Sequence, residues 1–468
     1  MTSRLVAVSN RVSIPREKAP PGGLAVGLLA AMHSRGGMWF GWSGELTDDE
    51  PAATRVVESA GVSYALTDMR RELFEQYYFG CANGTLWPLF HYFLETFHYQ
   101  DAHYDAYLEA NRFLAERLRP LLEPGDILWM HDYHLIPMAR LLRAMGERRP
   151  MGFFLHTPFP HFEVLRALPV YGELLADLCA YDVLGFQTSN DLNSFRDSIR
   201  YVWGNASVRE RGYVNVDDRR VRTRVFPIGV DVEAIEAESS AARSADAVRR
   251  MVQSVGERTL VIGVDRLDYS KGLVERFDAF RRFLKMHPES RGKVTLLQIA
   301  PLSRADMRSY EVIRGQLEGL AGRINGEFSD PEWVPLRYLN RNYSHDVLMG
   351  FMRAARVCLV TPMRDGMNLV AKEFVAAQDP DDPGVLILST LAGAACELTD
   401  ALQINPYDAR GIALALHEAM SMPLSDRRQR HRAMMATLRR NDIHQWHRGF
   451  VGELEAVEAE QSRVIVTA

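Results

Sequence analysis

Along this chain, apolar residues gather into short unbroken runs that stop at polar clusters, and between the runs they recur three and four positions apart. The runs include LVAV from Leu5, ILWM from Ile127, MGFFL from Met151, VLGF from Val183, TLVIGV from Thr259, VTLLQI from Val294, VCLV from Val357 and VLILS from Val385. Runs of that length without polar interruption predict strands covered on both faces, and the 3.6-residue period between them predicts the helices that cover them. Strand alternating with helix in this way implies an α/β fold with parallel sheets. Tyr213 to Phe226 breaks the rhythm and predicts a hairpin or an edge pair.

Open parallel sheets bind ligands beyond the carboxyl ends of their strands, so the polar clusters found there are the candidate chemistry. From Val360 to Gln378 a strand feeds a loop, Pro362 to Asn368, that opens a helix at Leu369. Free N–H groups and the positive end of the helix dipole suit a phosphate at that place. Asp365 and Glu373 would repel a phosphate but accept hydrogen bonds from sugar hydroxyls, so the stretch suits a nucleotide sugar. It equally suits a plain helix that Asn368 caps and on which Glu373 is solvated. After TLVIGV, Arg266 and Lys271 stand five apart beside Gly272, a fork and a point charge suited to a diphosphate, or a surface pair answering Asp265 and Asp268. Arg304 follows another strand, and Asn340 to Tyr343 follow a further one.

In the first half, polar strand ends carry Ser9-Asn10-Arg11, His131-Asp132-Tyr133-His134 and His156, and the diglycine Gly22-Gly23 opens a helix-like stretch. Aromatic Tyr77, Tyr78 and Trp87 lie in YYFGCANGTLWPLFHYF, a stretch that can stack on sugars or serve as core. No metal is expected. His131 and His134 do not share a face reliably on a strand-to-helix turn, and Asp379-Pro380-Asp381, although it mimics a metal-binding DxD, reads as a solvated turn because of Pro380 and Pro383.

The 468 residues exceed what one core usually organises. Two domains are expected, 1–229 and 230–444, with a boundary near Gly229 and a last helix at about 445–468 that returns to the first. A net charge of -5 leaves no basic surplus for nucleic acid. Cys81, Cys179, Cys358 and Cys396 are scattered, with no metal-type spacing, and read as reduced thiols. MTSRLVAVSNR is too short an apolar run for a signal peptide and no stretch reaches membrane-spanning length, so a cytoplasmic protein without a membrane partner is expected, as a homo-oligomer.

In their order, VSNR, GGLAVG, LWP, HDYHL, GFFLHTPFP, DRLDYSKGL, INGEF and RDGMNLVAKE resemble the trehalose-6-phosphate synthase family over nearly the whole chain. The resemblance implies a GT-B fold, two facing Rossmann-like doubly wound domains with the active site in the cleft between them. It also implies a retaining, metal-independent transfer of glucose from UDP-glucose to glucose-6-phosphate, with no cofactor. On the donor, Gly23, Arg266, Lys271 and the backbone at Leu369 and Val370 would serve the diphosphate, Glu373 the ribose and Tyr343 the uracil, with Gly22, Ala371 and Lys372 also donor-binding. Asp365, with the amides of Gly366, Met367 and Asn368, would hold the donor glucose, contacted also by His156. Arg11, Tyr78 and Arg304 match the positions that grip the acceptor phosphate, and Trp87 and Asp132 those that position the acceptor sugar. A relative using another phosphorylated acceptor, a catalytically silent nucleotide-sugar sensor and a two-domain epimerase are the competing readings.

Overall fold

The computed structural model describes residues 3–12, 14, 28–29, 32, 36–209, 212–302 and 308–467. The chain divides into two compact units, residues 1–228 with 443–468, and residues 229–442.

The first unit is built on one sheet whose strands are β1 (Leu5–Arg11), β2 (Gly37–Thr47), β3 (Arg55–Ser59), β4 (Val62–Arg70), β5 (Ile127–His131), β6 (Met151–Phe154), β7 (Val183–Phe186), β8 (Val208–Arg209), β9 (Tyr213–Val216) and β10 (Arg219–Val225). They lie side by side as β3-β4-β2-β1-β5-β6-β7-β10-β9-β8. Pairing is antiparallel only toward the two edges, at β3/β4, β10/β9 and β9/β8. Every residue of β5, β6 and β7 is buried, as unbroken apolar runs require. The sheet reverses at β1, whose neighbours are β2 on one side and β5 on the other, so the carboxyl ends of β1 and β5 flank the switch point where ligands enter such sheets. The Ile443–Thr467 helix belongs to this unit. Its Phe450 stacks on Trp129 at 4.5 Å, and its Glu453 and Glu460 pair with Arg222 of β10 at 2.9 and 2.5 Å.

The second unit carries β11 (Thr259–Val264), β12 (Val294–Ile299), β13 (Leu336–Leu339), β14 (Val357–Val360), β15 (Val385–Ser389) and β16 (Leu402–Ile404), all parallel. Their spatial order is β13-β12-β11-β14-β15-β16, that is third-second-first-fourth-fifth-sixth. This is the order of dinucleotide-binding sheets, and it places the switch point between β11 and β14. The fold class is therefore α/β, with a doubly wound sheet in each unit, as the GT-B resemblance implies.

Arg276, on the Leu273–Met286 helix, is wholly buried in this second core. Its Nη1 donates to Asp265 Oδ2 at 2.6 Å and to Gln298 Oε1 at 2.8 Å, and its Nε donates to Thr361 Oγ1 at 3.0 Å. One guanidinium thus joins the end of β11, the body of β12 and the residue after β14. Gly263 makes room for it: a Cβ there would stand 2.3 Å from Gln298 Oε1 and 2.6 Å from Arg276 Nη1.

One local structure escapes the hydrophobic pattern. Glu75–Leu86 is a π-helix of 12 residues. Asn83 Nδ2 donates to the Tyr78 carbonyl five residues back at 2.8 Å, while its Oδ1 accepts from Tyr133 at 2.8 Å, so a side chain from the β5 end helps hold the wider turn. Apolar spacing reports a 3.6-residue period and carries no mark of this one. The acidic turn is solvated, as its prolines predict, and carries ion pairs that the sequence does not announce. Pro380, Asp381 and Asp382 are exposed, while Asp379 pairs with Arg353 at 3.0 Å, and Asp382 with Arg356 at 2.9 Å and Arg427 at 2.7 Å, so the solvated turn is also fastened at both ends. Among the described residues, no helix is long and apolar enough to cross a membrane.

Removing one partner of a buried ion pair leaves the other charge desolvated. Arg276→Leu should therefore cost roughly 3–5 kcal/mol in the unfolding of the second unit, read as a lower denaturant midpoint. An unchanged midpoint would mean that Asp265 finds a new partner.

Candidate functional site

The loops after β11 and β14 meet. Met363 N donates to the Ser270 carbonyl at 2.8 Å, and Gly272, at φ +62°, lies so close to the β14 loop that a Cβ would stand 2.1 Å from the Thr361 carbonyl oxygen. Only glycine combines that backbone conformation with that approach. The junction brings Lys271 Nζ within 2.5 Å of Asp365 Oδ2, and Asn368 Nδ2 within 3.0 Å of the same oxygen. Asp365 is anchored from its backbone, donating to the Leu391 carbonyl at 3.1 Å and accepting from Gly393 at 3.2 Å. Met367 accepts from Ala394 at 2.8 Å, so Gly366 sits in a loop held at both ends.

Asn368 has φ 77°, a left-handed conformation that Asn tolerates better than other non-glycine residues. From there its side chain caps the Leu369–Ala377 helix, accepting from the Ala371 amide at 3.2 Å. Leu369 and Val370 belong to the same first turn, whose N–H groups lack an acceptor one turn back. The two readings of Asn368, cap and ligand end, are thus compatible.

Arg266 follows the buried Asp265 and is exposed, making no ion pair among the described residues. Lys372 takes another course. Its side chain is wholly buried and its Nζ donates to Glu397 Oε2 at 2.6 Å, while Asn441 donates to Oε1 at 2.7 Å. Burial pulls the ammonium's pKa down against the attraction of Glu397, so only the Lys372 backbone is left to face a ligand. Glu373 lies on the same helix at 3.9 Å from His345 Nε2, and His345 Nδ1 contacts Glu238 at 2.7 Å. Tyr343 meets Phe351 edge to face at 5.2 Å, with the Arg341 guanidinium 4.9 Å from its ring centre.

In the first unit the predicted residues collect around the ends of β1 and β5. Asp132 has φ 74°, a strained backbone for a non-glycine residue, and its Oδ1 accepts from the His156 amide at 3.2 Å. His156 Nε2 is 3.2 Å from His131 Nδ1. Burial drives the pKa of His156 down to about 3 and that of His131 well below its ordinary value, so both rings are neutral at pH 7. A ladder of rings joins the remaining acceptor candidates. Arg11 lies over Trp42 at 5.6 Å, Trp42 meets Phe74 at 4.4 Å, Phe74 stacks on Tyr78 at 4.8 Å, Tyr78 on His134 at 5.8 Å, and Tyr133 links His134 to Trp87 at 4.0 and 5.8 Å. Trp87 is buried against this ladder rather than open to stack on a ring. The calls on Gly22, Gly23 and Arg304 lie outside the described residues.

Sequence reasoning missed His345 and Arg276, and set His131 at a polar strand end without giving it a role. A lone histidine or arginine carries no spacing signal, and the partner of His345 stands 107 positions away. A group of metal-ligand types exists elsewhere, His287, Glu289 and His417, with ligand atoms within 4.8 Å of one another. The two imidazoles are stacked at 3.9 Å and 8°, which directs their in-plane lone pairs along separate planes, so in this arrangement they do not converge on one ion.

The family model of glycosyltransferase family 20 matches residues 5–456. A trehalose-6-phosphate synthase of Klebsiella pneumoniae is 46% identical over 467 residues, covering 99% of this chain and 98% of its own. A UDP-forming α,α-trehalose-phosphate synthase of Burkholderia xenovorans, solved with glucose-6-phosphate, has a TM-score of 0.92 at 46% identity, covering 97% of this chain and 100% of its own. An Escherichia coli structure bound with UDP-2-fluoro glucose has a TM-score of 0.91 at 44% identity, covering 97% and 99%.

Gly272→Ala should strain the backbone by about 1–3 kcal/mol and push the Lys271 turn off the β14 loop. A lower melting temperature with faster hydrogen exchange at Met363 to Asn368 is expected, and exchange at the wild-type rate would show that the junction does not need the close approach.

Proposed function

The chain belongs to glycosyltransferase family 20, and from that premise we propose that it is a retaining glucosyltransferase acting on UDP-glucose and glucose-6-phosphate. It forms α,α-trehalose 6-phosphate and UDP, the first step of trehalose biosynthesis, as its named relatives imply. The observation that carries the reading is the junction at the ends of β11 and β14, where Lys271, Asp365 and the start of the Leu369–Ala377 helix meet. A cation, hydroxyl acceptors and an open helix end within one loop junction are what a sugar-linked diphosphate requires.

Arg266, Lys271, Gly22, Gly23 and the backbone from Leu369 to Lys372 take the diphosphate, Glu373 the ribose and Tyr343 the uracil. Asp365 and the amides of Gly366, Met367 and Asn368 hold the donor glucose, to which neutral His156 adds a hydrogen bond without adding charge. Arg11, Tyr78 and Arg304 take the acceptor phosphate, and Asp132 with Trp87 the acceptor sugar. Trp87, being buried, acts by backing Tyr133, which in turn meets His134.

As the bond from glucose C1 to the diphosphate oxygen lengthens, positive charge grows on the sugar ring and negative charge on the leaving group. Arg266 and Lys271 stabilise the latter, a part that elsewhere falls to a divalent ion. The anomeric hydroxyl of glucose-6-phosphate approaches from the face that the diphosphate leaves, and a departing phosphate oxygen takes its proton. The C1–O bond to the acceptor forms as the bond to UDP breaks, which keeps the configuration. A cytoplasmic location, in keeping with cysteines that are all free thiols, and a homo-oligomeric state complete the proposal, the latter read by light scattering.

The test of the function is a donor-by-acceptor panel with the product identified by mass and anomeric configuration. Product from glycerol-3-phosphate in place of glucose-6-phosphate, or UDP-glucose consumed without an acceptor, would replace the reading. Arg266→Ala should lower kcat by roughly 10²–10³, the scale of one lost transition-state charge contact, and an unchanged kcat would remove Arg266 from its role. Turnover should survive EDTA; a loss that Mg²⁺ restores would assign the diphosphate charge to a metal instead.

A further inference from the structure

Glu373 does not stand alone on its helix. Three elements meet around it: the Leu369–Ala377 helix that carries it, the Val232–Ala241 helix that carries Glu238, and the His345–Ala354 helix that opens with His345. The imidazole lies between the two carboxylates, its Nδ1 2.7 Å from Glu238 Oε2 and its Nε2 3.9 Å from Glu373 Oε1. His345 and Glu373 are both partly buried, where two carboxylates without a cation between them would repel each other.

We propose that His345 is a positioning residue of the donor site: as an imidazolium bridging Glu238 and Glu373, it keeps the Glu373 carboxylate ionised and fixed for the paired hydroxyls of the donor's ribose. The inference rests on the donor reading above, which assigns Glu373 to the ribose, and adds to it a residue that touches no substrate. Its chemistry follows from charge. A neutral imidazole donates from one nitrogen only and can satisfy one carboxylate, whereas an imidazolium donates from both. Glu373 first, and Glu238 with it, raise the pKa of His345 to about 9 against burial, and these two carboxylates are the charged groups that act on it. The proton is therefore present at neutral pH and is lost as pH rises through about 9.

Steady-state kinetics of the full chain test this. H345Q, which keeps a donor but no charge, should raise KM for UDP-glucose about tenfold, the scale of one weakened hydrogen bond between the ribose and the Glu373 carboxylate, with kcat within about twofold and KM for glucose-6-phosphate unchanged. H345R should recover most of the loss by restoring the cation. In the wild type, KM for UDP-glucose should climb above pH about 9 and in H345Q it should not; in E238Q the climb should move to lower pH, because one of the two carboxylates that hold the proton is gone. Calorimetric titration separates this inference from the transferase reading, since it needs no turnover: H345Q should weaken UDP and leave inorganic pyrophosphate unaffected. Equal loss for both ligands, equal loss for both substrates, or an alkaline climb shared by H345Q would overturn the role of His345. Selective loss of UDP affinity in a chain that makes no trehalose phosphate would uphold it and sink the transferase reading alone.

Discussion

A single buried guanidinium sets the geometry on which the second unit's chemistry depends. Arg276 joins Asp265 after β11, Gln298 on β12 and Thr361 after β14, and β11 and β14 are the strands that flank the switch point of the sheet. A buried charge needs every one of its partners, because each contact it loses is paid for at interior dielectric. That makes the arrangement stiff. The strand ends cannot drift apart without breaking a charged contact, and the loops that carry Lys271 and Asp365 start from those same ends. Hydrophobic packing brings the strands together, whereas the ion network decides how they end.

Much of this was legible because parallel sheets bury both faces of their strands. Such strands appear as unbroken apolar runs, and whatever polar residues follow them must lie at one end of the sheet. Lys271, Asp365 and Asn368 could be read that way, and the structure brings these three together. The hairpin of β9 and β10 was legible from its break in the rhythm. Contacts made across long separations were not. His345 meets a partner 107 positions away, and an arginine on an amphipathic helix, as Arg276 is, looks the same in sequence whether it faces water or the core. Lys372 shows the converse: a lysine beside a candidate donor loop reads as donor-binding, yet its side chain is held by Glu397.

The first unit departs from regular structure where its candidate residues stand. Glu75–Leu86 winds as a π-helix through Tyr77 and Tyr78, and Asp132 adopts a positive φ at the end of β5. Both conformations are costly in isolation and persist where surrounding contacts over-determine them. Here the supporting contacts are visible: Tyr77 donates to Asn10 at 2.6 Å, Tyr133 to Asn83, and Asp132 donates to the Phe154 carbonyl at 2.8 Å. None of these is local in sequence, which is why the aromatic stretch around Tyr77 and Tyr78 carries no sign of the wider helix.

Lys271 is engaged by Asp365, and the same Asp365 oxygen accepts from Asn368. Whatever draws the ammonium off must part an ion pair. The carboxylate then keeps the Asn368 amide as a donor, so the junction can open at Lys271 without orphaning Asp365.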